Sequence, residues 1–381
     1  MDALADRVAR GLEALDRDGL RRRRRTLDGA EARHAREGGR TLLDFASNDY
    51  LGLSRDPALA AAAHAAIEAY GTGAGASPLV TGHRRAHQEA EDSFARFVGM
   101  PRALLFGSGY MANIGLLAAL ADREAEVFGD RLNHACLVDG AIVSRATFTR
   151  FAHADVAALE EALRKSRAKT RIVATDAVFS MDGDVAPLAD LLALCERHDA
   201  WLVVDDAHGI GVRGPHGRGT LASLGLRSER IVLMATLGKA LGGYGAFVAG
   251  HDAAIEWLLQ RARTYVFSTA LPPSVAAVAQ AAIELLERDD RLVRTLAARI
   301  DRFAARTGSA SRTAIHPFAA GGPGVAMDWS RALEARGFLV PGIRPPTVPA
   351  GTSRLRVSLS AAHSEANLDA LAAALEETRP R

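Results

Sequence analysis

Cysteine is nearly absent. The 381-residue chain holds only Cys136 and Cys195, far apart and with no Cys-x-x-Cys. That excludes a disulfide framework and the zinc modules built on cysteine pairs, and it fits a reducing cytosol. Lysine is almost as scarce, at Lys165, Lys169 and Lys239 alone. A long apolar run is missing too. Met1 to Arg25 is charged throughout and lacks the apolar centre of a signal peptide. Ala270 to Ile283, the longest weakly polar stretch, carries two prolines and a glutamine and is too short for a bilayer. The expectation is a soluble, cytoplasmic chain with no membrane partner. Charge of one sign is lacking as well: the net value is +2, so no global field would hold nucleic acid. What is present is globular material, with 48% hydrophobic residues, 35 Gly and 14 Pro. That is too apolar for disorder, and at roughly 150 residues per domain it suggests two domains or one large domain with a satellite.

Leu4, Val8, Leu12 and Leu15 stand at helical spacing and predict an amphipathic helix over the first ~20 residues. From Ala103 onward, short apolar runs alternate with helical stretches: strands at 103–106, 126–128, 171–176, 201–205, 231–235 and 245–250, with helices between. Apolar runs without alternation mean a sheet covered on both faces. Beyond Pro272-Pro273 a long helical stretch is expected to about Ala305. The last ~80 residues read as short strands, Gly324 to Asp328 and Arg354 to Ser358, with helices at Ser330 to Arg336 and Ser364 to Glu376. The predicted organisation is an N-terminal helical segment (1–45), a large α/β domain (46–285) and a small C-terminal α+β domain (286–381).

Two motifs mislead. Gly209-Ile-Gly211-Val-Arg-Gly214 follows a strand, but Pro215, Gly217 and Gly219 come next where a dinucleotide site needs a helix. His83 and His87 could share a helix face, yet without a third ligand they read as an exposed pair and no metal is expected. Other segments carry more. Gly107-Ser108-Gly109-Tyr110 joins a strand to a helix, either as a tight turn or as a place for a phosphate on free backbone N–H groups. Val203-Val204-Asp205-Asp206-Ala207-His208 puts an acid at the end of a buried strand, where open α/β sheets bind ligands. Such a carboxylate is a turn or cap residue, or else it meets a cation such as a protonated pyridine nitrogen. Lys239, in Thr236-Leu237-Gly238-Lys239 before Gly242-Gly243, lies in a Gly-rich apolar loop, unlike the lysines of the charged stretch 165–169. Loss of solvation there would lower its pKa and make the amine nucleophilic, as in a Schiff-base lysine. Thr236 offers a hydroxyl for a phosphate, and His134, after Asn133, is placed to stack on a cofactor ring. Arg21 to Arg25 is either a solvated helix end or an attractor for phosphates.

Taken in order, Asn48-Asp49-Tyr50-Leu51-Gly52-Leu53, Gly107 to Tyr110, Asn133-His134, Phe179-Ser180-Met181-Asp182-Gly183-Asp184, Asp205 to Gly209, Thr236 to Lys239 and Phe267 to Pro273 resemble the α-oxoamine synthases. These are pyridoxal-phosphate enzymes of the aspartate-aminotransferase fold (fold type I), a large, mostly parallel sheet domain plus a small C-terminal α+β domain. The resemblance covers nearly the whole chain. Ile343 to Pro349, Gly351 to Arg356 and Leu20 to Arg23 resemble the members that condense L-alanine with a pimeloyl thioester on the way to biotin, the acyl group riding on coenzyme A or a carrier protein. The alternative is a sister synthase using glycine with acetyl-CoA or succinyl-CoA; a non-catalytic binding subunit is a more distant one. Ser77-Pro78-Leu79 and Gly243-Tyr244-Gly245 depart from the commoner forms of those loops.

The resemblance implies a role for each of several residues. Lys239 binds the cofactor covalently and later moves protons, Asp205 pairs with the pyridinium nitrogen, and His134 stacks on the ring. Ser180 and His208 contact the cofactor near its phenolic oxygen, while Gly109, Tyr110 and Thr236 hold it at the phosphate end. Ser268 or Thr269 reaches the phosphate from the other subunit of a homodimer. Arg356, with Arg354 in reserve, holds the amino acid's carboxylate, and Arg21 and Thr352 meet the acyl substrate.

Overall fold

The computed structural model describes residues 3–28 and 33–380. In chain order its strands are β1 (His34–Glu37), β2 (Arg40–Asp44), β3 (Arg102–Phe106), β4 (Ala125–Asp130), β5 (Thr147–Phe151), β6 (Thr170–Asp176), β7 (Ala200–Asp205), β8 (Ile231–Thr236), β9 (Ala246–Gly250), β10 (Ile315–Gly321), β11 (Phe338–Leu339), β12 (Gly342–Ile343) and β13 (Ser353–Ser358). The chain divides into two compact units. The large one is Asp49–Ser180 with Asp184–Ala297; the small one is Met1–Asn48, Met181–Gly183 and Ala298–Arg381. The N-terminal segment, expected to stand apart, therefore groups with the C-terminal residues. The helix Pro273–Arg288 stays with the large unit, where it buries Ala276, Ala279, Ala282 and Ile283. The expected long helical stretch is two helices, Pro273–Arg288 and Arg291–Thr307, broken at Asp289-Asp290.

In the large unit seven strands form one sheet in the order β3-β9-β8-β7-β6-β4-β5. Neighbours from β8 to β5 run parallel, and only β9 runs antiparallel to its two neighbours. The apolar runs are buried as their composition requires: every residue of β9 is buried, and so are Val203, Val232 and Met234. Helices cover the sheet, and side chains set where they begin. Ser108 caps Gly109–Leu120 by accepting from Met111 N, and Asp155 caps Val156–Lys165 by accepting from Ala158 N. Phe94 of the helix Arg85–Val98 stacks on Phe247 of β9, ring centroids 4.6 Å apart. The edge strand β5 and the helix Val156–Lys165 are absent from the sequence reading, because Thr147-Phe148-Thr149-Arg150-Phe151 is half polar and lacks the continuous apolar run of the inner strands.

The small unit holds a β10-β13-β12 sheet, antiparallel throughout, and a β1-β2-β11 sheet with β11 parallel to β2. The expected strand at Gly324 to Asp328 is instead part of a helix, Pro323–Ala335, and the strand is β10 just before it. Val325-Ala326-Met327 is a short apolar run of the kind that periodicity cannot assign, and Pro323 at the first helical position favours the helix. Among the described residues no helix is long and apolar enough to cross a membrane.

Candidate active site

The parallel strands deliver polar residues to one edge of the large sheet, where open α/β folds bind ligands. There β7 ends at Asp205, β6 at Asp176 and β4 at Asp130, and β8 runs through Thr236 into Gly238-Lys239. Register places Asp176 directly beside Asp205.

Asp205 is buried, and both of its oxygens are engaged. Oδ2 accepts from Asn113 Nδ2 at 2.7 Å and Oδ1 from Ala207 N at 3.0 Å. Asp206 faces away from this group and accepts from Thr220 N (2.6 Å) and Thr220 Oγ1 (2.7 Å). Burial pushes the Asp206 carboxyl up to about 7. Gly209 and Gly219 close around it: a Cβ at either position would collide with an Asp206 oxygen. The glycine-rich stretch after β7 is thus a seat for a carboxylate. Asp176, also buried, accepts from the backbone N–H of His134 at 2.7 Å. Burial and then the neighbouring Asp205 push its carboxyl well above the usual range, while Lys239 acts in the opposite direction.

Lys239 Nζ stands 2.7 Å from His208 Nε2, and His208 Nδ1 stands 2.7 Å from Tyr50 Oη. With Lys239 as an ammonium, Nε2 accepts, so the ring proton of His208 sits on Nδ1 and is donated to Tyr50. His134 caps the helix Ala135–Ser144, its Nδ1 accepting from Cys136 N at 3.3 Å. Although this residue is exposed as a whole, partial desolvation holds its ring below the ordinary histidine range; Lys239 adds to that and Asp205 opposes it. Cys136 completes the cluster, with Sγ 2.8 Å from His134 Nδ1 and 3.0 Å from Asn113 Nδ2, and burial pushes its thiol up, so it stays protonated.

At the start of the helix Gly109–Leu120, the first N–H groups have no intrahelical acceptor. A Cβ on Gly109 would lie 3.6 Å from Met234 and 3.9 Å from Thr236, so Thr236 adjoins this turn. Thr236 Oγ1 donates to Gly245 O at 3.0 Å. Tyr110 is exposed and its hydroxyl donates to Asp139. Ser180 and Ser268 are half-buried and Thr269 is exposed. His83 and His87 are not an exposed pair. His87 is buried and donates Nε2–H to Leu271 O at 2.8 Å, and His83 pairs with Glu91 at 3.2 Å.

The remaining predicted residues belong to the small unit. Arg356 on β13 is buried and donates to Asn48 Oδ1 (3.1 Å) and Ser358 Oγ (2.8 Å), whereas Arg354 is committed to the Asp182 carboxylate. Thr352 is exposed and its hydroxyl donates to Pro349 O within the turn. Arg21 is exposed and pairs with Asp16, and its carbonyl accepts from Arg344.

Sequence reasoning misses Tyr50, Asn113, Cys136 and Asp176. Asn113 is a polar residue in the apolar helix GYMANIGLLAAL, and Asp176 ends a buried strand just as Asp205 does. The same strand-end argument applied to β6 would find Asp176.

The model of the class I and II aminotransferase family matches residues 40–375. An 8-amino-7-oxononanoate synthase of Burkholderia vietnamiensis is 52% identical over 384 residues, covering 98% of this chain and 95% of its own. One from an Azoarcus species is 52% identical over 381 residues, with 98% of both chains covered. Among solved structures, a Sphingomonas wittichii serine palmitoyltransferase superposes with a TM-score of 0.92 at 30% identity, covering 99% of this chain and 97% of that one. The 8-amino-7-oxononanoate synthase of Francisella tularensis superposes at 0.76 with 29% identity, covering 88% and 96%.

Proposed function

From the premise that the chain belongs to the class I and II aminotransferase family, and within it to the 8-amino-7-oxononanoate synthases, we propose the residue roles by which it joins L-alanine to a pimeloyl thioester. The reaction releases carbon dioxide and the thiol and gives 8-amino-7-oxononanoate, on the way to biotin. The cofactor is pyridoxal 5'-phosphate.

The residues fit that group. A buried carboxylate needs a cation: Asp205 Oδ2 accepts from Asn113 Nδ2 and from the Cys136 thiol at 4.0 Å, whereas Oδ1 accepts only from Ala207 N and keeps a lone pair for a pyridinium N–H. The Ser108-Gly109-Tyr110 helix start suits a phosphate. When bound, the cofactor supplies an electron sink for the carbanion left at Cα of the amino acid.

Lys239 is the amine that holds the cofactor and then takes and returns the Cα proton at Nζ, and His208, itself held by Tyr50, orients it. Asp205 keeps the ring nitrogen protonated, and Asn113 and the Ala207 N–H fix that carboxylate in place. His134 stacks on the ring. Gly109, Tyr110 and Thr236 hold the phosphate end, and Ser180 and His208 meet the phenolic oxygen. The substrate carboxylate falls to Arg356, because Arg354 is already committed to Asp182. Thr352, whose hydroxyl lone pairs stay available, and Arg21 receive the acyl substrate, carried by coenzyme A or by a carrier protein. The same reading takes the enzyme as a cytoplasmic homodimer in which Ser268 or Thr269 of one copy serves the phosphate site of the other.

The observation that carries this reading is the 2.7 Å contact of Lys239 with His208, at a sheet edge that also holds buried Asp205. The test adds L-alanine and glycine separately to purified protein, each with and without pimeloyl-CoA. The visible cofactor band is expected to respond to L-alanine, with thiol release only when pimeloyl-CoA is also present. A response to glycine alone would point to a sister synthase.

A further inference from the structure

His153 lies after β5, outside every motif considered above. Its ring has a carboxylate at each nitrogen. Nδ1 is 3.1 and 3.2 Å from the two oxygens of Asp130, and Nε2 is 2.8 Å from Asp184 Oδ2. An ionised carboxylate only accepts, so both ring nitrogens must carry protons and His153 is an imidazolium. Asp130 and Asp184 are the charged groups acting on it, and they push its pKa up to about 10 against partial burial. The ring also meets Phe179 edge-on, centroids 4.4 Å apart.

Each carboxylate organises a different loop. Asp130 is buried; its Oδ1 accepts from Leu132 N (2.8 Å), its Oδ2 from Ala154 N (2.7 Å) and its carbonyl from Asn133 N (3.2 Å). This turn leads directly into His134. Asp184 closes the hairpin that begins at Phe179, where Phe179 N donates to Asp184 O at 3.0 Å beside the Val178–Val185 bridge. That hairpin carries Ser180. We propose that His153 is a positioning residue, a cationic tie between the turn that presents His134 and the hairpin that presents Ser180. This rests on the cofactor roles given above to those two residues. An ordinary surface ion pair would not join two loops through both nitrogens of one ring.

The test uses the ring nitrogens of His153 in the holoenzyme and cofactor binding by variants. Nitrogen-15 NMR at about pH 8, where an unperturbed histidine is neutral, is expected to show two N–H groups on this ring. Pyridoxal phosphate titrated into apo-protein, followed by absorbance, is expected to bind about tenfold more weakly to Asp184→Asn, which loses one charge-assisted hydrogen bond, and at least as weakly to His153→Ala, which loses the bonds to both carboxylates. Imidazole in the buffer is expected to restore binding to His153→Ala but not to Asp184→Asn, a rescue that a merely structural loss would not show. A singly protonated ring, unchanged affinity in both variants, or no rescue by imidazole overturns the proposal. Wild-type protein that binds no pyridoxal phosphate would instead sink the functional reading, and the positioning role with it.

Discussion

Two histidines of the large unit and two of the small one are put to opposite uses. In the large unit His208 stands between an amine and a phenol, and His153 between two carboxylates. In the small unit His316 packs edge-on to Phe303 and His363 stacks on Phe45 at 4.1 Å. Burial pushes these two down to about 4 and about 3, so they stay neutral. His363 still ties the chain together, donating Nε2–H to Asp44 O (2.9 Å) and accepting from Ser360 N (3.0 Å). One residue type thus holds polar and charged groups in place in one setting and packs neutral against rings in the other. Its neighbours, not its name, decide the role.

Three experiments bear on that contrast, from the largest effect to the smallest. Replacing Lys239 with Ala is expected to cut kcat by about 10³-fold or more, and His208→Asn by about 10²-fold, with the thermal midpoint little changed. An active His208→Asn would remove the large-unit half of the contrast. His363→Ala is expected to cost about 3 kcal/mol of stability, measured by denaturant titration, while kcat per folded molecule stays near wild type. A kcat deficit in the folded fraction would break the comparison from the other side. The smallest effect is in pH. Because His316 and His363 are depressed, the unfolded chain takes up protons first, so their stabilisation is complete above about pH 6.5 and is lost as pH falls toward 4 and 3. His153 has the reverse sign: its stabilisation is complete below about pH 6.5 and is lost as pH rises toward 10. Stability curves of His363→Ala and His153→Ala against wild type should therefore differ on the acid arm and the alkaline arm respectively.

Legibility in the sequence obeys the same physics. The strand and helix alternation of the large unit was legible because inner parallel strands are continuous apolar runs; Asp205 stood out as an acid at the end of such a run, and Lys239 as a rare lysine in a Gly-rich apolar loop. The residues alone do not separate Asp205 from Asp206; the family resemblance chooses Asp205, and the structure shows Asp206 engaged by Thr220, fourteen residues on. Tyr50 lies 158 residues from His208, and Asn113 lies 92 from Asp205, so no local pattern pairs them. His153 was invisible for the same reason, since its two carboxylates belong to separate loops. In the small unit Gly324 to Asp328 reads as strand because five residues are too few to show a period.

The seat around Asp206 has a consequence for how such chains are sorted. Of the three glycines that spell the fingerprint of a dinucleotide binder, Gly209 leaves room for an acid side chain of the same loop, as Gly219 does beyond them, while Gly211 lies against Ala240 and Gly214 against the backbone of Gly219 and Ser223. Spelling of that kind can arise wherever a buried carboxylate must be wrapped by backbone. A classifier that scores letters without asking whether a helix opens after the third glycine would file this chain among the dehydrogenases.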